Sequence, residues 1–277
     1  MQTKNWLLCM SSVIPAMILI VLTCILVPKL KEKTIAENIV IEESISSVGS
    51  EEEISESKFI IVLDAGHQEN ANTEKEPIGP GAEEMKMKVA AGTTGVKTGV
   101  RESQLNLEIA LLLEEELERR GYRIIQVRRS QEVDISNKER SETANAMKAN
   151  ALVRIHANGS ENSSVNGAQT ICPSKENVYV PKEIYEPSYL LSECILNAYV
   201  EETGCKKEKV YERDDMTGLN WSEVPVTILE MGYMTNPEED EKMQDEKYRE
   251  KMIQGIANGI DDYFKQIENR SFAEDVF

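Results

Sequence analysis

Three segments dominate what this chain can fold into: Phe59–Leu63, Ala151–Ile155 and Val226–Leu229. Each is an almost unbroken apolar run. A strand with one wet face alternates polar and apolar residues, so runs like these suit strands buried on both faces, as in parallel sheets. Arg123–Val127 reads as a further short strand. Helical patterns separate the runs. Leu105, Ile109, Leu112, Leu113 and Leu117 repeat at helical spacing up to Gly121. Ser136 and Glu139 form a capping-box pattern ahead of a helix reaching about Ala149. Tyr189–Glu202 is a helix closed by Gly204, and Asn236-Pro237 opens another. Met252, Ile253, Ile256, Ala257, Ile260 and Tyr263 mark a final amphipathic helix. Strands alternating with helices predict an α/β fold: a single three-layer domain with a mostly parallel twisted sheet flanked by helices. Residues 69–101 are polar and Gly-rich, and read as a long loop with room for a short hairpin.

Polar residues follow these runs closely. The chain has two histidines, His67 in Asp64-Ala65-Gly66-His67 and His156 in Ile155-His156-Ala157-Asn158. Glu230 follows the third run, in Ile228-Leu229-Glu230-Met231-Gly232. The carboxyl ends of parallel strands line the ligand crevice of such sheets. One histidine after a strand is commonly a hydrogen-bonded loop residue, whereas three such side chains at three strand ends converge on one site. Two imidazoles suit a catalytic zinc centre only with a third ligand, commonly a carboxylate. Several acids could serve. Glu102, at the start of the first helix, reads from periodicity alone as an acid favoured by the helix dipole.

The formal net charge of −18 argues against a nucleic-acid partner. Cys172, Cys194 and Cys205 form no C-x-x-C pair and read as structural thiols. Trp6–Val27 carries no charge and is long enough to span a bilayer. The expected organisation is a short tail (1–5), a transmembrane anchor (6–27), an acidic flexible linker (28–57), the catalytic domain (58–268) and a C-terminal tail (269–277). Lys29, Lys31 and Lys33 follow the span, and the positive-inside rule alone would place the globular part in the cytoplasm.

Taken together, the motifs resemble one family. They are Asp64-Ala65-Gly66-His67; Glu102 with Leu105-Asn106-Leu107 and Ile109-Ala110; Arg128 or Arg129, Asp134, Arg140 and Ala144-Asn145; Ile155-His156-Ala157-Asn158; and Pro225-Val226 leading to Glu230-Met231-Gly232-Tyr233-Met234-Thr235-Asn236. In this order, from about Phe59 to Phe264, they look like the zinc-dependent N-acetylmuramoyl-L-alanine amidases. The resemblance implies one Zn2+ per chain held by His67, Glu102 and His156, with Glu230 as the catalytic glutamate. It implies peptidoglycan as substrate, in wall or spore-cortex remodelling, and an extracytoplasmic catalytic domain against the charge rule. It identifies no protein activator. Asp64 and Asn158 could support the histidines or merely shape turns. Arg140, Arg154 or a loop donor could meet the oxyanion or the carboxylates of the stem peptide. Two positions depart from the pattern: Gln68 stands where Gly is usual, and Arg154 where Ser is frequent. The contrasting expectation is a non-catalytic, membrane-anchored wall-binding scaffold.

Overall fold

The structure, a computed structural model, describes residues 59–274. The expected anchor and linker lie outside the described residues, among which no helix is long and apolar enough to cross a membrane.

Six strands make the central sheet: β1 (Ile60–Ala65), β4 (Arg123–Gln126), β5 (Ala151–Asn158), β6 (Ala168–Cys172), β7 (Lys207–Glu212) and β8 (Val226–Tyr233). Their order is β4-β1-β5-β8-β6-β7. The first four positions run parallel, while β6 pairs antiparallel with β8 and carries β7 parallel beside it. The sheet is therefore mostly parallel, with one edge pair reversed. A separate antiparallel hairpin, β2 (Asn72–Pro77) and β3 (Met85–Val89), occupies the expected long loop.

The three apolar runs form the middle of the sheet because both faces there are covered. On one face Ile61, Leu63, Val153, Ile155, Leu229 and Met231 pack with helices α1 (Glu102–Arg119), α3 (Tyr185–Thr203) and α6 (Glu246–Glu274). On the other, Val62, Leu152, Val226 and Ile228 meet Ala144 of α2 (Asn137–Ala146) and Leu219 of the short α4 (Thr217–Asn220). Alternate residues of one strand thus enter opposite clusters, as the two-residue period of a strand requires. The remaining helix, α5 (Pro237–Lys242), starts at Asn236, whose side chain accepts from the amides of Glu238 and Glu239.

Several local expectations hold in atomic detail. Ser136 and Glu139 cap α2 reciprocally, and Gly204 ends α3 in the left-handed conformation with φ 70°. Strands β5 and β8 run three to four residues beyond their apolar runs, and these extensions carry His156 and Glu230. Leu112 proves exposed, because it lies off the face of α1 that packs on the sheet. Helix α6 continues through residues 269–274.

Candidate metal centre

His67, Glu102 and His156 come together, each offering one ligand atom, and these atoms all lie within 4.8 Å of one another. Their positions come from three elements. His67 follows β1, Glu102 is the first residue of α1, and His156 lies near the end of β5. Glu102 Oε1 stands 3.1 Å from both His67 Nε2 and His156 Nδ1. The two rings meet edge-on, with centroids 4.9 Å apart.

The surroundings fix each side chain. His67 Nδ1 contacts the Ala90 carbonyl at 2.8 Å, which aims Nε2 into the cluster. Its backbone lies in the left-handed region, at φ 59°. Glu102 Oε2 accepts from the Thr93 amide at 2.9 Å. Its Oε1 accepts from the Ala157 amide at 3.2 Å and from Asn106 Nδ2 at 3.3 Å. The His156 ring packs flat against Gly66, where a Cβ would fall 2.2 Å from its Cε1. Gly66 is thus set by the close approach of an imidazole.

Electrostatics favour a cation here. Burial opposes the Glu102 charge, but hydrogen bonds from both histidines outweigh it and hold the carboxyl well below its usual range. Burial pulls His156 down to about 4, so at neutral pH the imidazole is unprotonated and able to ligate. Glu230 stands in register with His156 on the adjacent strand. Its Oε2 is buried with no hydrogen-bond partner among the described residues. Burial pushes its carboxyl up to about 8, and the Glu102 charge adds to the rise. Two imidazoles and a carboxylate, with the carboxyl of Glu230 beside them, match a catalytic zinc donor set.

A cleft of about 340 Å³ opens over the cluster, lined among others by His67, His156, Glu230, Arg154, Lys86 and Gly218. The β2–β3 hairpin forms one wall. Trp221 Nε1 donates to the Pro77 carbonyl at 2.9 Å, Asn137 Nδ2 to the Lys88 carbonyl at 2.8 Å, and Lys86 reaches Asp215 at 3.6 Å.

Some candidate supporting residues have other roles. Asp64 makes no hydrogen bond to a histidine. It accepts from Arg140 Nη1 and Arg154 Nε, both at 2.7 Å, with all three residues buried. Arg140 is fully buried and also holds the carbonyls of Ala65 and His67, so it cannot meet a substrate. Arg128 likewise holds the carbonyls of Ala65, Gly66, Ser103 and Ser130. Asn158 caps its own turn, accepting from the Gly159 amide at 2.8 Å. Gln68 is buried, accepting from the Ile135 amide at 3.1 Å and Arg140 Nη2 at 3.0 Å. Sequence reasoning missed Thr93 as a holder of Glu102, since a backbone amide leaves no mark in side-chain pattern, and it quoted Asn106 only within the motif, without assigning its side chain to Glu102.

The family model described as N-acetylmuramoyl-L-alanine amidase matches residues 61–262. The chain is 26% identical to the uncharacterized protein YqiI of Bacillus subtilis over 171 residues, 62% of this chain and 78% of that one. It is 25% identical to the N-acetylmuramoyl-L-alanine amidase LytC of Bacillus subtilis over 170 residues, 61% of this chain. It spans only 32% of LytC's length. In fold it is similar to Ami1, an N-acetylmuramyl-L-alanine amidase of Mycobacterium abscessus, with a TM-score of 0.67 and 24% identity, over 75% of this chain and 99% of that one. Because the family match runs across the whole sheet and takes in the three clustered ligands together with Glu230, this chain belongs to the N-acetylmuramoyl-L-alanine amidase family.

Proposed function

We propose that this chain is a zinc-dependent hydrolase of the amide between N-acetylmuramic acid and L-alanine in peptidoglycan, tethered to the cell membrane by residues 6–27 with its catalytic domain on the extracytoplasmic side. The observation that carries the chemistry is the pairing of a His67–Glu102–His156 cluster with the buried, partnerless Oε2 of Glu230. The tether rests on the uncharged Trp6–Val27 segment and on a substrate found outside the cytoplasm.

His67, Glu102 and His156 would hold the ion. A bound zinc supplies Lewis acidity, polarising a carbonyl and lowering the pKa of water toward neutrality. The rest follows from the chain's own groups. Burial and the Glu102 charge hold Glu230 largely protonated near neutral pH, and a cation held by His67, Glu102 and His156 would draw its pKa back down. Once ionised, its carboxylate, with Oε2 lacking a hydrogen-bond partner among the described residues, is placed to accept a proton from an attacking water and to donate it to the departing alanine nitrogen. Thr93, Asn106 and the Ala157 amide keep Glu102 from turning toward substrate. Ala90 holds the His67 ring in one tautomer.

The test is digestion of purified muropeptides by the metal-replete chain, followed by mass spectrometry. Release of peptides beginning with L-alanine from intact glycan is expected. Products cut inside the stem peptide, or none at all, would refute the assignment.

A further inference from the structure

Arg154 lies two residues before His156 on β5, so both side chains leave the same face of the strand. Strand geometry separates them by roughly 6–7 Å. Arg154 is 3% exposed, yet it lines the cleft. Its Nε donates to Asp64 at 2.7 Å and its Nη2 to Asn137 Oδ1 at 2.8 Å. Nη1 has no partner among the described residues, and it is not among the buried groups left unsatisfied, so it opens on the cleft. Gly218 makes this placement feasible: a Cβ there would fall 1.2 Å from Nη1. The guanidinium therefore fills the space that any other residue at 218 would occupy.

The local charge count leaves this group available. Asp64 is one carboxylate shared by two guanidiniums, Arg140 and Arg154. Arg128, close by, bonds only to carbonyls. Asp215, which also lines the cleft, is engaged by Arg213 at 2.7 Å and Lys86 at 3.6 Å. Arg154 and Lys86 are the two cationic side chains lining this cleft, beside the acids Glu102, Asp215 and Glu230, and Lys86 is taken up by Asp215.

We propose that Arg154 Nη1 binds a carboxylate of the stem peptide, on the second residue beyond the scissile amide, and so sets which peptidoglycan the enzyme prefers. This rests on the amidase reading. A guanidinium held by two neighbours and lacking a third is preorganised for an anion. The glycan offers none, because the lactyl carboxyl of the muramic sugar is itself the scissile amide. The peptide does, within two residues' reach.

The experiment compares two N-acetylmuramoyl tripeptides whose second residue is a glutamate joined to the third through its γ-carboxyl, identical except that the α-carboxyl of that glutamate is free in one and a carboxamide in the other. Wild type is expected to favour the free acid in kcat/KM by roughly tenfold to a hundredfold, the range a hydrogen bond to a charged group supplies. Arg154→Gln brings the ratio to about one, and Arg154→Lys restores part of it. Gly218→Ala, which keeps the arginine but displaces it, also lowers the ratio. A ratio within one preparation is unaffected by the fraction folded. The same contrast is expected in equilibrium binding of the two tripeptides to the Glu230→Gln chain. Equal cleavage of both substrates by wild type, or a preference that survives Arg154→Gln, would overturn this inference and leave the amidase reading standing. Failure to cleave either would overturn both.

Discussion

Glu230 faces His156 across adjacent parallel strands, residue for residue in the β5–β8 register. A carboxylate so placed is tied to the ligand set by backbone pairing and needs no contact of its own. Its Oε2 makes no hydrogen bond among the described residues, which leaves it free for a proton. Glu230→Gln keeps the shape and removes the base. Hydrolysis should fall by at least about a hundredfold, the lower range for general acid–base catalysis. Zinc content should stay near that of wild type. Elemental analysis and muropeptide digestion on the same preparation check both halves.

His67→Ala and His156→Ala each remove one ligand. About one zinc per chain is expected in wild type and little in either variant, because a site reduced to two protein ligands holds the ion poorly. Chelation should lower the melting temperature of wild type and leave the variants unmoved, since only a bound ion adds stability by mass action.

Gly66→Ala is expected to behave like a ligand mutation although Gly66 ligates nothing. The new methyl would meet the His156 ring at 2.2–2.5 Å. Zinc affinity should drop roughly 10- to 100-fold, the loss typical when ligand orientation is disturbed. Competition with a chromogenic chelator would measure it.

Asp64→Ala removes the carboxylate that two buried guanidiniums share. Uncompensated buried charge costs about 3–5 kcal/mol. Urea unfolding should show a loss of that size, larger than for an exposed pair such as Arg213–Asp215.

The same carboxylate predicts an acid limit. Burial opposes its ionisation, but Arg140 and Arg154 prevail and hold Asp64 well below the ordinary value of 3.8. A depressed folded-state pKa means that its stabilisation is fully present above 3.8 and is lost as pH falls below it. Unfolding free energy measured in wild type should decline below about pH 4 more steeply than in Asp64→Asn.

What could be read from the sequence follows from where burial writes itself into residue type. Strands β1, β5 and β8 are covered on both faces and show as apolar runs. The reversed pair left less trace. In β7 the sequence Lys-Glu-Lys-Val-Tyr-Glu is charged because it lies at the sheet edge, where lysines discourage further pairing. In β6 the run is five residues, too short to separate from a loop. Residues His67, His156 and Glu230 were visible because each follows an apolar run. Glu102 was not visible from periodicity, since a first-turn acid on a helix looks the same whether or not it meets a metal. Arg140 looked like a candidate for substrate contact, and its burial against Asp64 depends on a partner 76 positions away.

The left-handed backbone of His67 carries a consequence for descent. That conformation disfavours a residue with a Cβ by roughly 1–2 kcal/mol, and glycine alone adopts it freely. The fold as such would be better served by glycine at 67. A lineage released from hydrolysis, retaining the domain only to bind the wall, would gain stability from the very change that disarms it. Histidine at 67 therefore carries a conformational cost to the fold, set against its place in the ligand cluster.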